Sequence, residues 1–314
     1  MGAYWSNEVI EYISPKERTY GWKRECVDIR DKYKLSAINL TNVELEKVID
    51  LRDKCPSVYD QGALGSCTAN AIAAAYEFNE IKESENDIFI PSRLFIYYNE
   101  RNMENCVDTD SGAQIRDGIK CINKIGVCKE NEWPYVIKNF TEKPNQNCFS
   151  NAKLHQSVTY SKIVQTIDCM KQCLSDGYPF VFGFTVYSNF QTKEVEQTGI
   201  MSMPTDNDTI MGGHAVMAVG YNENKKCFVV RNSWGKEWGE DGYFYMPYKF
   251  IVNNDYCSDF WVIEKVKDIC IEEPNDDEQQ EESNINDVNS DEDEVLLSIK
   301  RSRHVMDNLK KKQD

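Results

Sequence analysis

Apolar residues in the first half of the chain recur mainly at helical spacing. Residues 66–81 (SCTANAIAAAYEFNEI) are rich in alanine and begin at Ser66, a good N-cap, which predicts the strongest helix of the chain. Residues 111–125 carry isoleucines at i, i+4 and i+7, which predicts a second, amphipathic helix. Residues 163–174 show a weaker pattern of the same kind. The first half of the chain is therefore predicted to be mainly helical.

The pattern changes after residue 179 to short apolar runs that are rich in valine, phenylalanine and tyrosine. Runs of this length and composition are typical of β-strands. The predicted strands cover residues 180–187, 215–221, 227–231, 242–246 and 259–265. Because helices come first and strands later, the fold class is predicted to be α+β, with two unlike halves.

Charge is spread unevenly over the 314 residues, which include 52 acidic and 36 basic side chains. Residues 268–294 alone hold 13 acidic residues and no basic one. Such a segment cannot bury enough apolar surface to offset the entropy lost on ordering. We therefore predict that residues 268–314 form an acidic, disordered tail. The rest of the chain is only mildly acidic and carries no basic patch, which argues against nucleic acid as a partner.

Several classes of protein and site are not predicted. The longest apolar run, residues 177–187, is shorter than the roughly 20 residues that span a bilayer, so we expect no transmembrane segment. The N-terminus lacks the apolar stretch of a secretory signal, which favours an intracellular or virion-associated protein and leaves the compartment open. The 12 cysteines form no CxxC motif and the chain has 3 histidines, so no metal site and no cofactor are predicted.

Cys67 lies at the first turn of the strongest predicted helix, in the segment QGALGSCTA that starts at Gln61. A thiolate at this place faces unpaired backbone N–H groups and the positive end of the helix dipole, which lowers the pKa of the thiol. Because the thiolate is the nucleophilic form of cysteine, Cys67 is a candidate nucleophile.

Two later segments supply candidate partners for Cys67. The run GGHAVMAVGY places His214 directly before a predicted strand, after two glycines that allow close approach. The run VRNSWGKEWG then places Asn232 between a strand and a turn rich in glycine and tryptophan. A helix-start cysteine, a strand-start histidine and an Asn-Ser-Trp-Gly turn in this order are not independent accidents, and they weigh against a merely structural role for Cys67.

These three segments resemble those of the papain/cathepsin cysteine peptidases, and they are most similar to the compact branch found in bacteria, archaea and large DNA viruses. His214 follows Cys67 within the family's interval of roughly 130–150 residues, and Asn232 falls modestly beyond it. The resemblance covers about residues 44–267. It implies a two-lobed α+β fold, with a cleft between a helical lobe (about 44–160) and a β-barrel-like lobe (about 161–267).

The resemblance also implies roles for individual residues. Cys67 would be the nucleophile and His214 its imidazolium partner. Asn232 would hold the imidazole ring, and Trp234 would shield that hydrogen bond from water. The Gln61 side chain and the Cys67 backbone N–H would form the oxyanion hole. The chain would then be a cysteine endopeptidase that hydrolyses peptide bonds of protein or peptide substrates through a thioester acyl-enzyme.

A substrate pocket is implied by the segment DTDSGAQ, which matches the family's glycine-rich wall. Gly112 would let the substrate backbone pair closely. Ala113, Gln114 and Ala215 would line the pocket for the side chain one residue before that of the cleaved bond, and Trp238 would form the floor on the leaving-group side.

The sequence departs from the family at two positions beside the nucleophile. Leu64 replaces a common cysteine, which removes a usual disulfide, and Thr68 replaces a common tryptophan. The histidine pair of carboxydipeptidases is absent, because His155 stands alone, and this favours endopeptidase activity.

Residues 1–43 resemble a short propeptide that crosses the cleft and inhibits the enzyme intramolecularly. Aromatic residues and the segment from Asp28 to Asp31 would anchor it. Three alternatives remain open: an N-terminal arm packed permanently on the body, an acyltransferase that uses the same three residues, and a catalytically silent binding protein whose cleft stays filled.

Overall fold

A computed structural model of the chain describes residues 19–34, 45–83 and 89–268. The predicted tail, residues 268–314, therefore lies outside the described residues except for Asp268. Most of the N-terminal segment, residues 1–18 and 35–43, also lies outside them, whereas its central part is described.

Seven α-helices are present in the described ranges. They are α1 (Cys67–Glu83), α2 (Arg93–Met103), α3 (Ile115–Lys124), α4 (Gln146–Ala152), α5 (Ile167–Ser175), α6 (Lys193–Thr198) and α7 (Tyr248–Ile251). Short 3-10 helices cover Arg52–Lys54, Ile137–Asn139 and Ser188–Gln191.

Helix α1 is the central element of the fold, and it is buried on every side from Cys67 to Glu80. It packs on helices α2 and α3 and also on three strands of the sheet. Alanines make this possible, because they let neighbouring elements approach closely at little entropic cost. The helix predicted over residues 66–81 is confirmed.

The strands form one antiparallel sheet. They are β1 (Val48–Asp50), β2 (His155–Lys162), β3 (Phe180–Tyr187), β4 (Ile210–Asn222), β5 (Cys227–Arg231), β6 (Tyr243–Pro247) and β7 (Cys257–Asp268). Their order in the sheet is β2-β7-β3-β4-β5-β6, and β1 pairs with the C-terminal end of β4. Strand β4 is thus central, and it carries His214 opposite Phe184 of β3.

The second predicted helix begins later than expected. Helix α3 starts at Ile115, whereas the prediction began at residue 111. Gly112 has φ +68°, in the left-handed region that favours glycine, and Ala113 forms a parallel bridge with Trp22. Residues 111–114 are therefore an extended wall of the cleft, and the helix follows it.

The loop that precedes this wall is braced by buried polar groups. The fully buried Arg101 guanidinium donates hydrogen bonds to the carbonyls of Val107 (2.6 Å) and Thr109 (3.2 Å). Asp110 accepts a hydrogen bond from the backbone N–H of Gly65 at 3.0 Å. The wall and the loop before Cys67 are thereby fixed to each other.

The architecture confirms the predicted α+β class. Strands were predicted close to the observed bounds of β3, β5 and β6, while β4 and β7 extend further than predicted. None of the helices described here is both long and apolar enough to cross a membrane.

Candidate active site

Cys67 is the first residue of α1, and its side chain is 0% exposed. The backbone N–H groups of Ala215, Gly21 and Thr68 lie beside its sulfur and favour the thiolate. Burial acts in the opposite direction and is the larger effect, so the pKa of the Cys67 thiol is raised to about 11. With Gly21 beside it, the buried sulfur of Cys67 is a neutral thiol near neutral pH.

His214 lies in β4 and is held by Asn232, which directly follows β5. The ring Nε2 is 2.8 Å from the Asn232 side-chain oxygen, which also accepts the backbone N–H of Ser233 at 2.8 Å. Because a carbonyl oxygen only accepts hydrogen bonds, Nε2 is the donor and carries a proton. Trp234 stacks on the imidazole with ring centroids 4.9 Å apart and planes at 27°. The histidine is thus fixed in orientation and tautomer.

Gln61 is hydrogen-bonded to Ser233, the residue that follows Asn232. Its backbone N–H donates to the Ser233 carbonyl at 2.8 Å, and its side-chain oxygen accepts the Ser233 hydroxyl at 2.6 Å. This leaves the Gln61 amide NH₂ to donate to Leu64 O (2.9 Å) and to Thr19 O (3.2 Å). The structure therefore brings together the four residues singled out in sequence: Gln61, Cys67, His214 and Asn232.

The described N-terminal residues run through the cleft directly over these groups. Tyr20 contacts His214 edge-on, with ring centroids 6.2 Å apart. Gly21 lies against Gly65, and its carbonyl accepts the N–H of Ala113 at 2.7 Å. The sulfur of Cys67 is covered by this stretch of chain.

Trp22 is pinned between the two walls of the cleft. Its backbone N–H donates to Gly213 O at 2.9 Å, and the next residue, Lys23, donates to Ala113 O at 3.0 Å. The indole ring lies over Gly183, where a Cβ atom would come within 1.9 Å of the ring. Its N–H donates to the Asp259 carboxylate at 3.0 Å.

The structure also gives the surroundings of the residues that the resemblance assigns to the substrate pocket. A Cβ on Gly112 would lie 2.1 Å from Gly21 O, so glycine there permits close pairing. Ala215 is fully buried beside Cys67. Gln114 is half-buried and its backbone N–H donates to Glu104 at 3.1 Å. Trp238 packs on Trp234 with ring centroids 5.0 Å apart.

A buried ion-pair cluster anchors the N-terminal residues a second time. Glu25 and Asp31, 1% and 4% exposed, both pair with Arg116, at 3.0 and 2.6 Å. Both also pair with Lys162, at 3.0 and 3.2 Å. The Trp261 indole N–H donates to Glu25 at 2.8 Å. These contacts fix the chain beyond the cleft.

The expected anchor at residues 28–31 is only partly correct. Asp31 joins the buried cluster, but Ile29 is 86% exposed. Arg30 pairs with Asp28 at 2.7 Å instead of with the body, whereas Asp28 also lies 4.0 Å from Lys120 of α3. Val27, in the same turn, is 93% exposed.

Asp259 and Gly183 were not identified from the sequence. Asp259 looked like the first residue of a strand, and nothing in the one-dimensional pattern shows that its carboxylate meets an indole of the N-terminal segment. Within the described ranges, no group of three or more His, Cys, Asp or Glu side chains is arranged to hold a metal ion. The cysteines described are free thiols.

Thr68, one of the two positions at which the sequence departs from the family pattern, lies in the first turn of α1. The Thr68 hydroxyl donates to the buried Glu100 carboxylate at 2.8 Å. Burial raises the pKa of Glu100 well above its usual range.

His155 begins β2 and packs on Phe89, with ring centroids 4.3 Å apart, on an element separate from the one that holds His214.

Comparison with known proteins identifies the family. The model of the papain family of cysteine proteases matches residues 45–258. An uncharacterised peptidase C1-like protein of Acanthamoeba polyphaga mimivirus is 47% identical over 273 residues, which cover 81% of this chain and 88% of that protein.

Solved structures give the same result. Xylellain, a cysteine protease from Xylella fastidiosa, is 43% identical with a TM-score of 0.74, and the match covers 82% of this chain and 99% of that one. A procathepsin B of Trypanosoma congolense, 17% identical, shares the fold with a TM-score of 0.59 over 73% of this chain and 80% of that one. The chain belongs to the papain family of cysteine proteases and is a cysteine peptidase with the two-lobed papain-like fold.

Proposed function

We propose that the protein is a cysteine endopeptidase in which Cys67 is the nucleophile, His214 the acid–base partner and Gln61 an oxyanion donor, and that its N-terminal segment restrains it. The observation that carries the proposal is the hydrogen bond between His214 Nε2 and Asn232, formed beside a cysteine at a helix N-terminus. This arrangement favours an imidazolium and a thiolate once the cleft is open.

In the proposed reaction the Cys67 thiolate attacks the carbonyl carbon of a peptide bond. The Gln61 amide and the Cys67 backbone N–H donate hydrogen bonds to the oxyanion that forms. His214 protonates the leaving amine from Nδ1, since Nε2 stays bonded to Asn232. Water, deprotonated by the same nitrogen, then attacks the thioester carbonyl, and the sulfur leaves as the thiolate. The carboxylic acid product forms, and the thiolate and the imidazolium are restored.

Restraint is supported by the direction of the N-terminal segment. Tyr20 lies on the side of His214 and Trp234, where the leaving group would depart. Trp22 lies on the side of Ala113, where the acyl part would bind. A substrate runs from its acyl part to its leaving part, but here the residue on the leaving side comes first. The segment therefore lies backwards relative to a substrate, which explains how it can fill the cleft without being cleaved there.

A second support is the state of the nucleophile. With the segment in place Cys67 and His214 are both 0% exposed, and burial keeps the thiol neutral. Because the segment is part of the same chain, its effective concentration at the cleft is high, so even modest contacts keep it bound.

The exposed turn at residues 27–30 offers a way to test both parts of the proposal. We would insert the recognition sequence of a site-specific protease between Asp28 and Ile29 and cleave the full-length protein after folding; this product is called the cut chain. The part that covers the cleft is then no longer tethered and dissociates on dilution.

The cut chain should hydrolyse fluorogenic peptides much faster than the intact chain, and the Cys67→Ala variant should be inactive in both forms with an unchanged melting temperature. A synthetic peptide of residues 17–28 should inhibit the cut chain competitively. Hydrolysis by the Cys67→Ala chain would refute the assignment of the nucleophile. Equal activity before and after cutting, without inhibition by the peptide, would indicate a permanent structural arm.

A further inference from the structure

The loop of residues 61–67 carries both groups that the proposed reaction uses as oxyanion donors. The side-chain amide of Gln61 stands at the start of the loop, and the backbone N–H of Cys67 stands at its end. The cysteines in the described part of the chain are free thiols, so no disulfide among them ties the two ends together. The separation of the two donors therefore depends on non-covalent contacts.

One side chain reaches both ends of this loop. The Tyr135 hydroxyl donates a hydrogen bond to the backbone carbonyl of Gln61 at 3.0 Å, and it also contacts the hydroxyl of Ser66. Because a carbonyl oxygen only accepts, the single hydroxyl proton of Tyr135 goes to Gln61, and Ser66 donates to the Tyr135 oxygen. Ser66 in turn accepts a side-chain N–H of Asn70 at 3.0 Å. The hydrogen bonds thus form one directed chain from α1 to Gln61.

The groups joined by this chain are shielded from water. Gln61 and Ser66 are 0% exposed and Asn70 is 1% exposed. Burial raises the pKa of Tyr135 above its usual range, so its hydroxyl keeps its proton at neutral pH. Removal of one partner would leave buried polar groups unpaired, which costs more than an exposed hydrogen bond contributes. Water therefore does not easily replace the bonds that Tyr135 makes.

Tyr135 is itself held by an ion pair. The Glu130 carboxylate accepts the backbone N–H of Tyr135 at 2.9 Å and an N–H of the Arg93 guanidinium at 2.9 Å. The same guanidinium lies over the Tyr135 ring, 4.1 Å from its centroid. All three residues lie outside the N-terminal segment, so we expect these contacts to persist when that segment leaves the cleft.

We propose that Tyr135 is a positioning residue of the oxyanion hole: by holding Gln61 and Ser66 together, its hydroxyl fixes the separation of the Gln61 amide and the Cys67 N–H. Donors stabilise an oxyanion best when they need not move as the charge develops. Tyr135 bonds the loop rather than the oxyanion, so it acts through the donors. This inference rests on the proposed function, because it names a further residue that the same reaction requires.

The first test removes the hydroxyl alone. Tyr135→Phe keeps the ring that packs on Arg93, and in the cut chain we expect kcat for a fluorogenic peptide to fall about tenfold or more, because a shift of about 1 Å can cost about 100-fold. KM should change much less than kcat. Tyr248→Phe is the matched control, because the Tyr248 hydroxyl donates to Glu223 at 3.3 Å in the turn after β4. This variant should keep the wild-type kcat, and melting temperatures check that both variants fold.

A second background distinguishes positioning from a general structural defect. Gln61→Glu removes the side-chain amide that Tyr135 is proposed to position. In that background Tyr135→Phe should lower kcat by less than about threefold, because residues that act as a unit have non-additive effects. The same factor in both backgrounds, or a wild-type kcat in Tyr135→Phe alone, would overturn the inference and leave the peptidase assignment intact.

Hydrogen–deuterium exchange tests the loop without any substrate. In the cut Cys67→Ala chain, Tyr135→Phe should speed the exchange of backbone amides in residues 61–67 by about fivefold, whereas Tyr248→Phe should leave it unchanged. Unchanged exchange in Tyr135→Phe would overturn the inference. If the cut wild-type chain hydrolyses no peptide, the proposed function fails, and the exchange rates alone decide whether Tyr135 holds this loop.

Discussion

A Cβ atom on Gly21 would lie 1.7 Å from the carbonyl oxygen of Gly65. The position of a Cβ atom is set by the Gly21 backbone, and the carbonyl belongs to the Gly65 backbone. Neither can therefore rotate away as the far end of a side chain could. The backbone N–H of Gly65 donates a hydrogen bond to the Asp110 carboxylate, which fixes the loop before Cys67. The N-terminal segment thus approaches Cys67 as closely as its backbone allows, and it can do so only through a glycine.

Gly21→Ala should therefore activate the intact chain. A backbone overlap of this depth costs on the order of 1–3 kcal/mol or lifts the segment, so hydrolysis of a small peptide by the intact chain should rise by at least about fivefold. Val27→Ala is the control, because Val27 lies in the same segment but is 93% exposed. The two variants should be indistinguishable once cut. An intact Gly21→Ala chain as inactive as the wild type would contradict the close approach.

Alkylation of Cys67 should report the same transition without any substrate. In the intact chain the thiol is 0% exposed and burial raises its pKa to about 11, so iodoacetamide should modify the exposed Cys26 much faster. Burial is the main cause of the raised pKa, so cutting should lower it and make Cys67 the faster thiol. Mass spectrometry of the labelled peptides measures both rates in one sample. Equal labelling of Cys67 before and after cutting would mean that the segment does not shield it.

Gln61 should contribute to turnover through its amide N–H. Gln61→Glu keeps the oxygen that accepts the Ser233 hydroxyl but removes the donors to the oxyanion. We expect kcat of the cut chain to fall by roughly 100–1,000-fold, the cost of losing one oxyanion donor. Gln156→Glu, an exposed amide on β2 that donates to Lys124 O, is the matched control and should leave kcat unchanged. A Gln61→Glu chain with wild-type kcat would exclude this role.

The local position of the candidate residues could be predicted from the sequence: Cys67 begins a helix, and His214 and Asn232 adjoin strands. Their catalytic roles rest on the resemblance to the papain family and stay a proposal. Helix α1 and strand β3 followed from composition and period. These features depend on a few neighbouring residues, so a one-dimensional pattern contains them.

The pocket that holds Trp22 could not be predicted in the same way. Asp259 is aimed by a register shift between β3 and β7, which depends on how two distant segments pair. Gly183 matters only because Trp22 lies over it, and no spacing in the sequence links these two positions. The helix α2 was also missed, because its polar, aromatic sequence has no clear apolar stripe and its burial comes from packing on α1 and α3.

Docking of the N-terminal segment should strengthen as the pH falls. In the closed chain the pKa of Asp259 is raised from 3.8 to about 6, mainly by burial and then by the negative charge of Glu25. Departure of the segment uncovers Asp259 and removes Glu25, so the pKa returns towards its ordinary value. Between these two values the closed state therefore binds more protons than the open state, and protonation favours docking.

The contribution of Asp259 to docking is thus fully present below the ordinary pKa and is lost as the pH rises through about 6. We would measure the dissociation constant of the peptide of residues 17–28 from the cut Cys67→Ala chain between about pH 5 and pH 7. For one proton the constant should rise with pH by at most about tenfold per unit. Asp259→Asn removes the titrating group, so the part of the slope due to Asp259 should vanish. Asp241→Asn is the control, because Asp241 also has a positive φ (+53°) but is exposed, and it should retain the slope. Identical slopes for wild type and Asp259→Asn would show that Asp259 takes no part in the pH dependence of docking.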